Sequence, residues 1–180
     1  SKEAACMHTL GLVEKQAGDV KKAAAALQKA KDLASEAGDF KGQAAVLGTM
    51  MEILLDAKLY SDAVKVGKER ISIFRNAGDA AEEGRAMLKL GDVMMKNDDH
   101  AKAEKLGQAA TGIFASVNDM DSIVMAKDLM DGAKHAKAKE EIEASIAQAS
   151  SAMHVPHTLM VDPGMNKRIT GAFATAMARA

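Results

Sequence analysis

Apolar residues in this chain recur at three- and four-residue spacing, and the stretches that carry them are interrupted at a fixed interval. Met7, Leu47 and Met87 stand forty residues apart, as do Leu10, Met50 and Leu90. In a second set of stretches Ala23, Ala63 and Ala103 correspond, followed by Leu33, Ile73 and Ile113. Such spacing lays one apolar stripe along each of a series of amphipathic helices. The polar interruptions repeat too: Glu36-Ala37-Gly38-Asp39 returns as Asn76-Ala77-Gly78-Asp79 and again as Ser116-Val117-Asn118-Asp119. Gly, or Asn in its place, suits the left-handed position that ends a helix. The Asp that follows is a good N-cap for the next one, and Asp79 with Glu82 has the spacing of a capping box. Ala17-Gly18-Asp19, Ala57 to Ser61 and Asn97-Asp98-Asp99 fall midway between these corners. The pattern predicts helices over 3–16, 20–36, 40–56, 60–76, 80–96 and 100–116, two in each unit of forty residues.

Beyond Asp119 the repeat decays. Residues 120 to 135 fit a fourth first helix, with Met130 in phase with Leu90. The inner turn expected near Lys137 has no Gly, Pro or Asn to make it. Lys134 to Ser150 reads as helix, with Ile142 and Ile146 four residues apart. Either one long terminal helix or a poorly broken pair would cap the open end of the array. Val155-Pro156 and Asp162-Pro163-Gly164 then stop the helix and make a turn. The reading is a helical-repeat domain over 1–153 and a non-repeat tail over 154–180, in which Ile169, Phe173 and Met177 stripe a short amphipathic helix. The tail from 151 carries Lys167, Arg168 and Arg179 against Asp162, a net of +2, and is expected to dock on another chain through that stripe.

Leu10-Gly11 and Leu90-Gly91, with Ala23 and Ala103 thirteen residues beyond each leucine, resemble the tetratricopeptide signature. Gly38-Asp39 through Ala44 and Gly78-Asp79 through Ala86 resemble its forty-residue variety, found in LGN-type polarity adaptors and kinesin light chains. The resemblance covers about residues 2 to 136. Gly67 and Gly107 depart from it where the family usually has a bulky side chain. Ser35, Arg75 and Ala115 stand where its proline is usual. HEAT or armadillo-like repeats are the second reading of the period. The resemblance implies an all-α, right-handed α-solenoid of antiparallel helix pairs, about three and a half to four repeats with a C-terminal helix and an extended tail. It also implies a concave groove, lined by the first helix of each pair, that takes a peptide or helix of a partner protein. That places His8, Thr9, Leu12, Thr49, Glu52 and Asp56 in the groove, then Arg85, Lys89, Asp92 and Lys96, then Asp128 and His135. Arg85 and Lys89 match the third-repeat basic pair of the carboxylate clamp in chaperone-binding members, whereas His8, Leu12 and Thr49 do not match its other positions.

Composition narrows the function classes. A net charge of −1 gives no global pull toward nucleic acid or an anionic membrane. No apolar run approaches the roughly 18 residues of a membrane span. Cys6, the single cysteine, cannot close an intramolecular disulfide or build a multi-cysteine zinc site. His154 and His157 flank Pro156 and lack the helical spacing of a metal pair. Asp98-Asp99-His100 reads as capping at a corner, and Cys6 and His8 are too close in sequence to face each other on a helix. There is no Gly-rich phosphate loop and no nucleophile elbow, so no enzyme, metal or cofactor is expected. Met7, Met50, Met87 and Met130 lie on the periodic stripe as core. Met95 and Met125, on the inner face, read either as core or as an adaptable binding surface. The function expected is a protein-binding scaffold or adaptor. The rival is a structural or linker subunit of a large, organellar assembly, docked through the tail. An intracellular protein, soluble or peripheral, is expected, because Ser1-Lys2-Glu3 opens no signal-peptide pattern.

Overall fold

A computed structural model of the chain describes residues 2–152. Among these are seven α-helices and no strand: α1 Lys2–Gln16, α2 Val20–Glu36, α3 Phe40–Asp56, α4 Tyr60–Ala77, α5 Ala80–Lys96, α6 His100–Ser116 and α7 Met120–Ala152. The first six match the sequence pattern to within a residue or two. Each corner is set locally. Gly18, Gly38, Lys58, Gly78, Asp98 and Asn118 all have positive φ, one residue in every twenty. The residue after each returns its N–H to a carbonyl five back, as in Asp39 to Ala34, Leu59 to Leu54 and Asp79 to Phe74. This is the Schellman closure of a helix end.

The expected caps are partly made. Asp19, Asp39, Asp79 and Asp119 each accept a bond from the backbone N–H three residues on, at 2.8–3.2 Å. Asp99 makes no such bond; its carboxylate pairs with Lys102. The capping box at Asp79 is only half formed. Glu82 turns instead to Arg85, while the Asp79 N–H is already bonded to Phe74. Lys58 is the corner residue for which the left-handed backbone is least comfortable, since its side chain costs about 1–2 kcal/mol there. Lys58→Gly is expected to raise stability by up to about 1 kcal/mol in thermal melts; an unchanged or lower melting temperature would contradict that reading.

Successive helices pack against one another along the chain, α1 on α2, α2 on α3, and so on through α6. Ala23, Ala63 and Ala103 are wholly buried, as their register requires. The apolar series drawn through Leu33, Ile73 and Ile113 is one residue off. Those three are half-buried, and the deep positions are Ala34, Phe74 and Phe114. Exposure falls along the other series, from Leu10 at 44% to Leu90 at 2%. Leu90 seats against Gly67 of the preceding pair, whereas no described helix precedes α1.

That seating accounts for the glycines where the family has bulk. A Cβ at Gly67 would stand 2.8 Å from Leu90 Cδ1, and one at Gly107 would stand 2.6 Å from Met130 Cγ and 3.0 Å from the Ala126 carbonyl oxygen. Leu27 holds the equivalent place in the first pair and fills the space over Gly11 instead. The bulk has moved from one side of each crossing to the other.

α7 runs unbroken through Lys137, so of the two sequence readings it is the one long terminal helix, not the broken pair, that forms. Packing divides the chain into a compact unit over 1–137 and a second beginning at 138. Within the second, Ile142 and Ile146 are each 60% exposed. The tail stripe of Ile169, Phe173 and Met177, like His154 and His157, lies outside the described residues. No described helix is long and apolar enough to cross a membrane.

Candidate functional site

The first helices α3 and α5 and the beginning of α7 share one face, and two clefts open on it. The cleft between α3 and α5, about 370 Å³, is lined by Thr49, Glu52, Lys89, Asp92 and Lys96. The cleft between α5 and α7, about 390 Å³, is lined by Glu82, Arg85, Lys89, Asp92, Ser122 and Met125. Six of the expected groove residues are therefore brought together. His8 lies at the edge, its Nε2 2.8 Å from Thr49 Oγ1. Burial pushes the His8 imidazole below its ordinary value. His135 is engaged with its own helix, its Nδ1 2.8 Å from the Asp131 carbonyl.

Both clefts also contain Arg70, which comes from a second helix, α4. The forty-residue register makes it the counterpart of Ala30 and Ala110, both wholly buried. Where the flanking pairs have a methyl group, this pair sends a guanidinium through to the groove. Gly48 lies opposite it, where even a Cβ would be in ordinary contact at 3.8 Å from Arg70 Cζ, whereas the counterparts of Gly48 are the much larger His8 and Leu88. The Phe74 ring, one turn further along α4, lies 5.6 Å from Arg70 Cζ, within cation–π range. Arg70 Nε is buried with no hydrogen-bond partner. Loss of water pushes the guanidinium below its ordinary value, with Glu82 and Glu52 opposing that shift. Arg70 was not among the residues expected from sequence. Its signal was the Ala30-Arg70-Ala110 break in an otherwise small-residue series, opposite a glycine.

The charges on this face are not equally committed. Arg85 bonds Glu82 at 2.5 Å and Asp119 at 3.3 Å, tying α5 to the start of α7. Glu52 receives Lys15 of α1 at 3.0 Å, and Asp56 lies 3.7 Å from the same ammonium. Arg70, Lys89 and Lys96 make no ion pair among the described residues. Asp92 lies between Lys89 and Lys96 on the same helix face and would be held ionised by them. Desolvation by the cleft walls is the larger effect and pushes its carboxyl above the ordinary 3.8.

The sign of that shift makes a prediction. A raised folded value means that the native state holds the Asp92 proton more tightly than the unfolded chain does. The favourable contribution is therefore full below about 3.8 and is lost as pH rises through the raised value. Asp92→Asn is expected to match the parent near pH 3 and to gain on it in urea midpoint toward pH 7. A variant less stable than the parent at pH 7 would show that the two lysines outweigh desolvation.

Met125 is 60% exposed at the α5–α7 cleft, whereas Met95 is half-buried against the core, so the two inner-face methionines part company. Cys6 is exposed and free. Among the described residues no group of three or more His, Cys, Asp or Glu could hold a metal ion.

Solved structures share this architecture. The N-terminal domain of stress-induced protein-1 (STI-1) from C. elegans superposes with a TM-score of 0.56 at 18% identity, covering 70% of this chain and 93% of that one. The apo form of RapI does so with a TM-score of 0.66 at 11% identity, covering 99% of this chain and 70% of that one. The fold is a tetratricopeptide-like solenoid. At these identities the likeness speaks for the fold alone. No family model and no curated protein matches the sequence.

Proposed function

We propose that this chain is a protein–protein interaction scaffold of the forty-residue tetratricopeptide variety. Its first-helix face holds a carboxylate-bearing segment of a partner. The supporting observation is that two adjoining clefts share Arg70, Lys89 and Asp92. The two cations have no ion-pair partner among the described residues and desolvation pushes the Asp92 carboxyl above its ordinary value, while the nearby acids Glu52 and Glu82 are already paired. A segment laid along α5 would meet Lys96, Lys89 and Arg70 in turn, with the exposed Met125 as an adaptable apolar contact. Desolvated charge pairs of this kind set orientation and specificity. No catalytic or cofactor role enters this reading, and the docking role suggested for Ile169, Phe173 and Met177 is a separate proposal.

Selection from a random peptide display library tests it. The tightest peptides are expected to carry Asp or Glu, to weaken with added salt, and to lose about tenfold or more in affinity for Lys89→Glu at unchanged helicity. Selected peptides without acidic residues, or with equal affinity for parent and variant, would move the binding surface elsewhere.

A further inference from the structure

Away from the groove, a second cleft of about 390 Å³ lies between the second helices α4 and α6. Its floor is Ile71, Met87, Leu90, Met94 and Leu106. The floor residues on α5, from Met87 to Met94, extend about 10 Å. Lys68, Arg75, Lys102 and Lys105 stand on its rim, and no carboxylate is among the residues that line it. Arg75 is held by Glu83 at 2.8 Å and Lys102 by Asp99. Lys68 and Lys105 are exposed and make no ion pair among the described residues. An apolar floor under an all-cationic rim calls for a helix with an apolar stripe and acidic flanks.

The chain itself carries one. In the unit that begins at 138, Ala138, Ile142, Ser145, Ile146 and Ala149 form one stripe over three turns of α7, with Glu141 on its border. Ile142 and Ile146, one turn and about 6 Å apart, are 60% exposed each. Glu140, Glu141 and Glu143 surround them, with one cation among residues 138–149, Lys139, which lies 3.8 Å from Glu143. Size, polarity and charge are matched: two branched apolar residues for a 10 Å apolar floor, and a segment of net charge −2, three carboxylates less Lys139, for the cationic rim. The tail beyond 150, at +2, has the wrong charge for the same place.

We propose that the α4–α6 cleft of one copy receives the 138–149 helix of a second copy, making this chain self-associating through a surface separate from the partner groove. Given in both directions, the exchange closes a two-fold dimer. Given in one direction, it propagates head to tail. The inference does not depend on the partner-binding reading, and Lys89→Glu is expected to leave the association unchanged.

Mass by sedimentation equilibrium of the full chain, with reductant present to silence Cys6, tests it across the micromolar range. Mass is expected to rise with concentration. Lys68→Glu with Lys105→Glu, and separately Ile142→Glu with Ile146→Glu, are expected to weaken the association at least tenfold with unchanged helicity, since all four residues are exposed. The decisive arm mixes the two double variants at a concentration where each alone is monomeric. One still has an intact stripe and the other an intact cleft, so the mixture is expected to form a heterodimer. A parent that stays monomeric up to about millimolar concentration, association indifferent to both variants, or a mixture that remains monomeric would each overturn the proposal.

Discussion

Gly107→Leu is expected to be among the most destabilising single substitutions in the repeat domain, while Gly112→Ala, in the same helix, is expected to stabilise it. A Cβ at Gly107 would stand 3.0 Å from the Ala126 carbonyl oxygen and 2.6 Å from Met130 Cγ. The methionine can swing aside; the backbone oxygen cannot. Leucine at 107 must therefore push α7 off α6. The cost falls at or above the upper end of the roughly 1–3 kcal/mol usual for overpacking. A Cβ at Gly112 meets nothing within 4 Å, so alanine there recovers about 0.5–1 kcal/mol of helix propensity. In a linear array each pair contacts only its neighbours, so the damage should show first as loss of α6 and α7. Urea unfolding of both variants checks the two signs together. Two stabilities close to the parent would mean that α7 does not cross α6 at Gly107.

Arg70→Ala is expected to lose the partner and keep the fold. The positions forty residues before and after it are alanines, each wholly buried, so the surrounding architecture already accommodates a methyl group there. Truncation removes a cation–π contact with Phe74 worth about 0.5–2 kcal/mol. It also removes a desolvated guanidinium whose Nε has no partner, a cost of similar size or larger. Net stability is therefore expected to stay within about 1 kcal/mol of the parent. Binding should respond quite differently. Removing one member of a desolvated charge pair costs about 2 kcal/mol or more, roughly 30-fold in affinity. Calorimetric titration of the selected acidic peptides beside thermal melts reads both quantities. A large drop in melting temperature with affinity retained would make Arg70 a strut between helices rather than a binding residue.

What could be read in the sequence was what is decided locally. The corners at Gly18, Gly38 and Gly78, and the Asp after each, act within four or five residues of themselves, so spacing alone located the helix ends. Ala23, Ala63 and Ala103 were legible because one small-residue position recurs at every crossing. Where two apolar residues adjoin, periodicity does not choose between them. At Ile73-Phe74 and Ile113-Phe114 the pattern therefore points to the isoleucine, one residue before the phenylalanine that is buried. Other misses depend on partners distant in sequence. Gly67 and Gly107 make sense only beside Leu90 and Met130, and Arg85 is claimed by Asp119, thirty-four residues on. Arg70 lies on a second helix, whereas the family register points to first helices alone for the groove. The break in its alanine series, with Gly48 opposite, was nevertheless present in the sequence.

Partner binding to the face formed by α3, α5 and the start of α7 is tested most directly by methionine methyl resonances, because methionines report on both surfaces. Met125 is exposed at the α5–α7 cleft and Met51 lines the α3–α5 cleft, whereas Met87 and Met94 line the cleft between α4 and α6. On titration with a selected acidic peptide, shifts are expected at Met125 and Met51, with Met87 and Met94 silent, and the shifts are expected to be lost in Arg70→Ala. Shifts confined to Met87 and Met94, with Met125 unmoved, would contradict it.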